Sequence, residues 1–566
     1  MKKESKTLKI VLAAIIGILL IVTMFLPKTT WLLVADVILI FAQLGVIWSS
    51  IDEKHNGVKV ILSTILVLML LTWILPAAYF QGSYVDQGRV QMGIFDLFSY
   101  PITALSYFGY IAIFLLAIGG LYGVLGKIDA YRNLLDRLAN AFKKKGKLVV
   151  SIIMVLIAVI TSICGLQIGL MIFYPLLAAL IFLMGYDKIV VALTLVGSSM
   201  IGMAGSTYAY GNTSIIVSSL SLKIDSNLLV KVIILVLGLV LLIFNTIRYI
   251  SKIEKDAKKA AKASKKVEEK KTTSKAKTSK TTKDTKSKKS TKETVAAKKE
   301  EEVKVVKETK NEYSDFIPAK GKGKHKVWPL VTVLSIMFIT LVLSFISWSG
   351  AFSNNVFEDV TENVTKYELF GFTLFGKLLG NVKAFGGWSL TELTTLIVLA
   401  TLLLMFIYKV KFSEGFEAFV SGAKRAIEPA VIVILIYTGL VIVTYHPFQL
   451  VIYKWLFGFT KGFNVITSSL AAILASAFNA DPLYSFQSVL PYLASLVSKK
   501  STLAVAGVVY QAMYGVTMLV APTSVVLMTV LSYLGVSYKE WLKNVWKLLL
   551  ELVVLMIIIF TILVLI

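Results

Sequence analysis

Long apolar segments dominate the chain, and many of them reach the roughly 20 residues that an α-helix needs to cross a bilayer. This pattern predicts an all-α polytopic membrane protein. Two segments, 189–222 and 502–534, are longer than the others and contain a polar interruption. The predicted spans are 8–26, 31–50, 58–80, 102–126, 149–164, 168–185, 189–222, 228–250, 327–348, 389–408, 427–445, 464–479, 484–497, 502–534 and 543–566.

Two short polar strings cause these interruptions. An unpaired backbone polar group in hydrocarbon costs several kcal/mol, so a broken membrane helix persists only where it lines a cavity inside the protein. Paired breaks in repeated halves are the best sequence pointer to the binding site of a secondary transporter. The first string is Gly211, Asn212, Thr213 and Ser214, and the second is Ala521, Pro522, Thr523 and Ser524.

The two halves of the chain repeat each other. Threading the spans in order sends 189–222 and 502–534 through the membrane in opposite directions. The repeats are then antiparallel, which is the inverted topology common among secondary transporters. Pro175, Leu177, Ala178 and Leu180 match Pro491, Leu493, Ala494 and Leu496 at an offset of 316, and Met203, Gly205, Thr213 and Ser214 match Met513, Gly515, Thr523 and Ser524 at an offset of 310.

A pair of short apolar segments precedes each broken helix, over 149–185 and 464–497. Each member of a pair is marginal in length for a full crossing. Polar residues lie at the two bends, with Gln167 at the first and Asn479 and Asp481 at the second. We interpret the pairs as re-entrant hairpins that enter from opposite sides, and ordinary short helical hairpins are the alternative.

The broken helices predict where the substrate binds. A break exposes free backbone N–H groups on one half-helix and free carbonyls on the other, which suit an anion and a cation. We expect a small carboxylate or polar substrate there, with Na⁺ or H⁺ as the coupling ion. The alternative is that the Ser and Thr hydroxyls only bond backbone in a kinked packing helix. The predicted substrate-binding residues are Gly211, Asn212, Thr213, Ser214, Pro522, Thr523 and Ser524.

Polar residues at the two bends are candidates for coupling or gating, namely Gln167, Asn479 and Asp481. Asp481 is the best candidate for a proton or cation ligand, and its alternative is an exposed turn carboxylate. The three histidines are isolated, the chain has a single Cys, and no phosphate-binding loop occurs. The sequence therefore predicts no metal site, no cofactor and no enzyme.

A Lys-rich segment separates the halves over 251–326. It contains 26 Lys and 12 Asp or Glu, so +14 of the chain's net charge of +26 lies here. Such a composition cannot form a packed core, and we expect a disordered cytoplasmic linker in which 257–271 can continue the preceding helix. Adhesion to anionic membrane lipids is the main functional alternative. Nucleic-acid binding is disfavoured, because aromatic residues do not interleave with the charges.

The distribution of charge predicts the orientation in the membrane. The N-terminal tail, the loops 127–147 and 409–426 and the linker are basic and fall on one side. The loop 350–388 carries acidic residues and falls on the other. We therefore expect a multi-pass protein of a bacterial plasma membrane with its N-terminus in the cytoplasm.

Several motifs resemble those of YfcC-like carriers, which belong with the anaerobic four-carbon dicarboxylate carriers in the ion-transporter superfamily. The resemblance covers roughly 58–250 and 327–566. It implies two hairpins, two broken helices, elevator-like movement and, in many members, a homodimer. The motifs are 72–77 (TWILPA), 118–125 (IGGLYGVL), 173–175 (FYP), 185–187 (GYD), 521–528 (APTSVVLM) and 538–541 (YKEW).

The string from Gly211 to Ser214 is also similar to the Ser-Asn-Thr element by which divalent-anion/sodium symporters of that superfamily bind carboxylate and Na⁺. The chain departs from the family at both bends. Gln167 stands where acidic residues are usual, and the run from Phe478 to Pro482 replaces a Ser/Gly-rich string. These departures leave the substrate and the coupling ion open.

These observations predict four parts: an extra N-terminal membrane hairpin (1–57), a first transporter repeat (58–250), the Lys-rich linker (251–326) and a second transporter repeat (327–566). The predicted function is ion-coupled secondary transport of a small organic anion, amino acid or peptide, with membrane lipids as the other partner. One alternative is a non-transporting scaffold that recruits a partner through its linker. A membrane-embedded enzyme for lipid-linked substrates is disfavoured by the scarcity of carboxylates and histidines at membrane depth.

Overall fold

The structure of the protein is a computed structural model, which describes residues 2–24, 56–142, 145–277, 313–320, 325–460 and 463–565 and a few isolated positions. In the long helix that begins at Leu228, side chains are described as far as Asp256. Within these ranges, eight helices are long and apolar enough to cross a membrane. The chain is therefore an α-helical polytopic membrane protein, as the hydropathy pattern predicts.

The first half combines full-length helices with shorter ones and a two-stranded antiparallel sheet in which Ala78 pairs with Asp86. Its elements are α1 (Lys2–Met24), α2 (Asn56–Ile74), β1 (Ala77–Phe80), β2 (Tyr84–Gly88), α3 (Ile94–Leu125), α4 (Asp129–Phe142), α5 (Gly146–Cys164), α6 (Gly169–Leu183), α7 (Lys188–Ala204), α8 (Tyr210–Ser219) and α9 (Leu228–Lys277). α6 opens with a 3-10 turn, and α7 contains a π turn at its middle.

The second half is entirely helical in its described elements. They are α10 (Trp328–Phe345), α11 (Trp348–Phe352), α12 (Val356–Lys366), α13 (Leu374–Leu379), α14 (Leu390–Ile407), α15 (Phe412–Arg425), α16 (Ile427–Tyr445), α17 (Gln449–Phe459), α18 (Val465–Phe478), α19 (Pro482–Gln487), α20 (Leu490–Leu496), α21 (Lys500–Met518), α22 (Val525–Leu534) and α23 (Tyr538–Leu565).

Most predicted spans coincide with helices to within a few residues. The helix α9 continues to Lys277, so the extension predicted for 257–271 is confirmed. Most of the predicted span 31–50 and half of the Lys-rich linker, including 278–312, lie outside the described residues, and the predictions about them stay predictions.

Three boundary predictions are wrong. The span 58–80 ends at Ile74, because the β1–β2 hairpin follows. The segment 484–497 is two short helices, α19 and α20, rather than one. The loops 127–147 and 409–426 contain the amphipathic helices α4 and α15. In α4 the buried residues Tyr131, Leu135 and Ala139 recur every four positions and form one apolar face, while the charged residues lie on the rest of the helix surface.

One group of helices, called the support group here, consists of α2, α3, α14, α15 and α16. α3 packs against α14, α15 and α16, and α2 packs against α16. Glycines allow α3 and α15 to touch backbone to backbone: a Cβ at Gly422 would lie 2.1 Å from the carbonyl oxygen of Gly119. Since α3 precedes the linker and α15 follows it, the two predicted repeats interlock within this group.

A second group, called the break group here, contains the consecutive helices α5–α6 and α18–α20, which cover the predicted hairpins, and the broken helices α7–α8 and α21–α22. α5 packs on α7, α18 packs on α21, and α7 packs on α21. The last contact again needs a glycine, because a Cβ at Gly515 would lie 2.4 Å from the backbone nitrogen of Ala204. The two broken helices therefore meet directly, next to their breaks.

Candidate functional site

The two breaks are short non-helical segments at 205–209 and 519–524, between α7 and α8 and between α21 and α22. The second includes the predicted string from Ala521 to Ser524. The first precedes its predicted string, because Gly211, Asn212, Thr213 and Ser214 lie at the start of α8. The position predicted for the first break is therefore wrong by a few residues.

The helix ends also correct the residue pairing between the halves. α7 and α21 end 314 residues apart, at Ala204 and Met518, and α8 and α22 begin 315 residues apart, at Tyr210 and Val525. These offsets agree with the 316 found for the hairpins and differ from the 310 that paired Thr213 with Thr523. In the structure, Thr523 thus occupies the place of Tyr208 rather than of Thr213.

The string at the start of α8 is helical because its Thr bonds backwards. Both the backbone nitrogen and the Oγ1 of Thr213 donate to the carbonyl of Ala209, at 3.1 and 3.0 Å. The backbone N–H groups of Gly211 and Asn212 precede this first turn and have no acceptor within the helix. Gly211 is exposed, and a Cβ built on it would meet nothing within 4 Å. Open space therefore adjoins the N-terminus of α8. The side chain of Asn212 lies outside the described set.

Side chains from two other helices hold the first break in place. The hydroxyl of Ser162, near the end of α5, donates to the carbonyl of Gly205 at 2.8 Å. The backbone nitrogen of Thr207 donates to the carbonyl of Ser162, also at 2.8 Å. From the second half, the Nε2 of Gln511 donates to the carbonyl of Ser206 at 2.6 Å. All of these side chains are buried, so the break is fixed by tertiary hydrogen bonds.

The second break is held in the same manner. The Oγ1 of Thr523 donates at 3.0 Å to the carbonyl of Ala477, at the end of α18. Two aromatic side chains at the start of α23 bind the carbonyls that α21 leaves free: the Nε1 of Trp541 donates to Leu519 at 2.8 Å, and the hydroxyl of Tyr538 donates to Val520. Ser524 caps α22, since its Oγ accepts from the backbone nitrogen of Leu527.

Sequence analysis missed Ser162, Gln511, Tyr538 and Trp541. A signal was present for the last two. Buried Tyr and Trp need an acceptor for their polar hydrogens, and this pair begins the helix that follows α22, one helix after the break that exposes carbonyls.

Side chains bind four of the backbone carbonyls at the breaks. The carbonyls of Gly205, Ser206, Leu519 and Val520 accept from the side chains described above. The N-terminal amides of α8 and α22 have no intrahelical acceptor. Each of these half-helix N-termini carries partial positive charge, which favours an anion over a cation.

Two of the three predicted coupling residues form hydrogen bonds close to their own bend. Asn479 is buried, and its Nδ2 donates to the carbonyl of Ala475 at 2.8 Å. Asp481 is half-buried and caps α19 by accepting from the backbone nitrogen of Leu483 at 2.8 Å. Gln167 is half-buried at the bend between α5 and α6. These contacts shape the hairpin tips, and a role in coupling stays a prediction.

A buried cation near the first string was also missed. Of the Asp, Glu, Lys and Arg side chains that the structure describes, only Lys231 is buried, with 7% of its surface exposed. Its Nζ donates to the carbonyl of Ile224 at 2.8 Å. Lys231, Thr213 and Gln511 line one cavity of about 10 Å³, which has room for about one water molecule. Lys231 was missed because it lies in the first turn of a membrane helix, a position typical of a lysine that anchors the helix at the membrane interface.

A cavity of about 740 Å³ lies between the support group and the break group. It is lined by α3 and α15 on one side, by α6 and α22 on the other, and by residues 314–319. Thr529, on its wall, lies five residues after Ser524, which is about 7.5 Å along α22. Lys127 and Arg425, also on its wall, belong to the basic segments 127–147 and 409–426. The cavity therefore connects the neighbourhood of the second break with the basic end of the bundle.

Comparison with known proteins gives two findings. Residues 6–566 match the DcuC family, described as C4-dicarboxylate anaerobic carrier. Among solved structures, the chain is similar to the YdaH transporter of Alcanivorax borkumensis, whose crystal structure is described as having an unusual topology. That similarity has a TM-score of 0.36 and 14% sequence identity and covers 89% of this chain and 98% of the other. The comparison with curated proteins found no match.

Proposed function

Because the chain belongs to the DcuC family of C4-dicarboxylate anaerobic carriers, we propose that it is a secondary transporter of four-carbon dicarboxylates across a bacterial plasma membrane. The observation that carries the proposal is the pair of half-helix N-termini at Tyr210 and Val525. Each carries partial positive charge and first-turn N–H groups that have no acceptor within the helix, which favours a carboxylate. A dicarboxylate supplies one carboxylate to each N-terminus.

The experiment that tests this proposal is uptake of radiolabelled succinate into proteoliposomes that contain the purified protein. Unlabelled succinate should compete with uptake, whereas butyrate, which has one carboxylate on the same carbon chain, should compete about tenfold less well, because one N-terminus stays empty. Equal competition by both would contradict the two-carboxylate site. A Na⁺ gradient and a pH gradient applied separately would identify the coupling ion, and cross-linking in the same vesicles would report a homodimer.

We expect Gly211→Ala to reduce uptake without weakening the fold. The added Cβ meets no protein atom within 4 Å, so it extends only into the open space beside the free N–H groups. If a substrate carboxylate occupies that space, the methyl group should raise the half-saturation concentration about tenfold, while helix propensity slightly favours Ala. Uptake kinetics and thermal unfolding in detergent check this. An unchanged half-saturation concentration would remove Gly211 from the site, and Asn212→Ala tests the adjacent position in the same way.

We also propose that Lys231 compensates the charge of the dicarboxylate. Half-helix N-termini supply only partial charges, and an uncompensated charge inside the membrane costs several kcal/mol. Lys231→Met keeps much of the side-chain length but removes the charge, and it should raise the half-saturation concentration for succinate by about tenfold or more. Lys231→Arg keeps the charge and should be less affected. If Lys231→Met and Lys231→Arg raise the half-saturation concentration equally, Lys231 has a packing role, and charge compensation is contradicted.

The contacts at the basic end of the bundle support a cytoplasmic location for that end. The Nη1 of Arg132, in α4, donates to the carbonyl of Pro318 at 2.8 Å, and the Nη1 of Arg425, in α15, donates to that of Asp315 at 3.0 Å. Segments 127–147 and 409–426 and the end of the linker thus come together, as the positive-inside rule requires of segments on one side. We therefore propose a cytoplasmic N-terminus, which labelling of an added cysteine from either side of the membrane would test.

A further inference from the structure

The last part of the Lys-rich segment, residues 313–320, is docked on the helices. We call it the strap. Tyr313 stacks on Phe182 with ring centroids 4.4 Å apart and ring planes at 10°. Phe316 contacts the same Phe182 ring at 5.0 Å and the ring of Tyr533 at 5.3 Å. Two aromatic side chains of the strap therefore share one aromatic socket, formed by the ends of α6 and α22.

Charged side chains fix the strap's backbone as well. Arg132 and Arg425 donate to the carbonyls of Pro318 and Asp315, as described above, and the Nζ of Lys320 lies 3.9 Å from a carboxylate oxygen of Asp136. Because two guanidinium groups bind main-chain carbonyls of the strap, its backbone as well as its side chains is held in place. The strap is thus a specific intramolecular contact.

The strap joins the two groups of helices. Phe182 and Tyr533 end helices of the break group, whereas Arg425 ends α15, a helix of the support group. Residues 314–319 also form part of the wall of the 740 Å³ cavity that lies between the groups. A displacement of one group past the other by a few ångströms breaks either the aromatic contacts or the bond from Arg425 to Asp315, since neither tolerates such a change.

We propose that the strap is an autoinhibitory gate of the transporter: docked, it narrows the mouth of the cavity and ties the break group to the support group, and it must leave its aromatic socket in each transport cycle. This inference rests on the proposed transport function. It gives the Lys-rich segment a role in setting the transport rate. This role is additional to substrate binding at the breaks and to the covalent connection of the two halves.

Weakening the aromatic socket tests the gate. Phe316→Ala and, separately, Tyr313→Ala should raise the maximal rate of succinate uptake in proteoliposomes about twofold or more, with an unchanged half-saturation concentration, because a gating step sets the rate and not the affinity. Phe95→Ala is the matched control, since that ring is 81% exposed and far in sequence from the strap; its rate should equal that of the unchanged protein. Unchanged or lower rates in both strap variants, with normal thermal unfolding, would overturn the proposal.

Cross-linking the strap to its aromatic socket should have the opposite effect and lower the rate of uptake. A variant with Tyr313→Cys and Phe182→Cys should lose most of its uptake when a short thiol cross-linker joins the two positions, and it should recover when a reducible linker is cleaved. The native Cys164 is buried and does not compete for the reagent. Full uptake with the strap cross-linked would overturn the gate. Absence of succinate uptake by the unchanged protein would instead overturn the proposed function, so the two failures are distinguishable.

Discussion

Gly515→Ala is expected to abolish most transport and to destabilise the protein. A Cβ at this position would lie 2.4 Å from the backbone nitrogen of Ala204 and 2.5 Å from the carbonyl oxygen of Met200. Both atoms belong to the backbone of α7, so neither can rotate away, and the two broken helices must separate by about 1 Å to restore normal contacts. Overpacking of this kind costs about 1–3 kcal/mol, which exceeds the gain in helix propensity of about 1 kcal/mol.

The effect on function should be larger than the effect on stability. Gln511 lies one turn before Gly515 on α21 and donates to Ser206 in the first break at 2.6 Å. Moving α21 away by about 1 Å stretches this bond beyond hydrogen-bonding distance and releases the break. We expect uptake of succinate to fall by about tenfold or more, because misplacement of about 1 Å at a site is costly.

Gly458→Ala provides the control for this substitution. Gly458 is also helical, in α17, but a Cβ there would meet nothing within 4 Å. This variant should unfold at the same or a slightly higher temperature and should transport normally. Thermal unfolding in detergent and succinate uptake are to be measured for both variants. Normal uptake by Gly515→Ala would show that α7 and α21 are less tightly packed than the structure indicates.

The sequence was sufficient to predict features that depend on local hydropathy. The length of an apolar segment is fixed by the bilayer, so most of the helices could be located to within a few residues. Helix α16, predicted as 427–445 and observed as Ile427–Tyr445, is an example. The amphipathic helices α4 and α15 were missed because their charged residues lowered the hydropathy. In α4, the spacing of Tyr131, Leu135 and Ala139 nevertheless indicates an apolar face.

The position of the first break could not be predicted, because it depends on contacts distant in sequence. Composition placed it at the string that begins with Gly211, yet Thr213 is compatible with a helix since its hydroxyl bonds the carbonyl of Ala209 four residues earlier. The chain instead leaves the helix after Ala204, where Ser162 and Gln511 offer hydrogen bonds to the exposed carbonyls. No local pattern reveals that these two side chains converge there.

The structure also changes what the polar strings do. Of the predicted substrate-binding side chains, those of Thr213, Thr523 and Ser524 bond to the protein backbone. In this conformation they hold the half-helices, and our proposal assigns the binding of the substrate to backbone N–H groups at the start of those helices. If the proposed dicarboxylate site is correct, specificity for an anion depends on backbone geometry and on Lys231 rather than on these hydroxyls.

Thr523→Val is expected to disable the second break while leaving its shape intact. Valine replaces the hydroxyl by a methyl group of similar size, so the carbonyl of Ala477 loses the donor that now lies at 3.0 Å. That carbonyl is at the end of α18, where no residue of the same helix can replace the donor. Leaving a buried acceptor unsatisfied costs about 1–3 kcal/mol, and we expect uptake of succinate to fall by about tenfold.

Two further variants distinguish the hydrogen bond of the Thr523 hydroxyl from the packing of the Thr523 side chain. Thr401→Val is the matched control: Thr401 is buried to the same extent, 3% exposed, but its hydroxyl donates to Ile397 in its own helix, whose carbonyl already has a backbone partner. This change should leave uptake and thermal unfolding nearly unaltered. Thr523→Ser restores the donor without the methyl group and should recover most of the transport lost in Thr523→Val. If Ser and Val reduce uptake equally, the methyl group rather than the hydroxyl stabilises the break, and the tie between Thr523 and α18 does not position the half-helix for its anion.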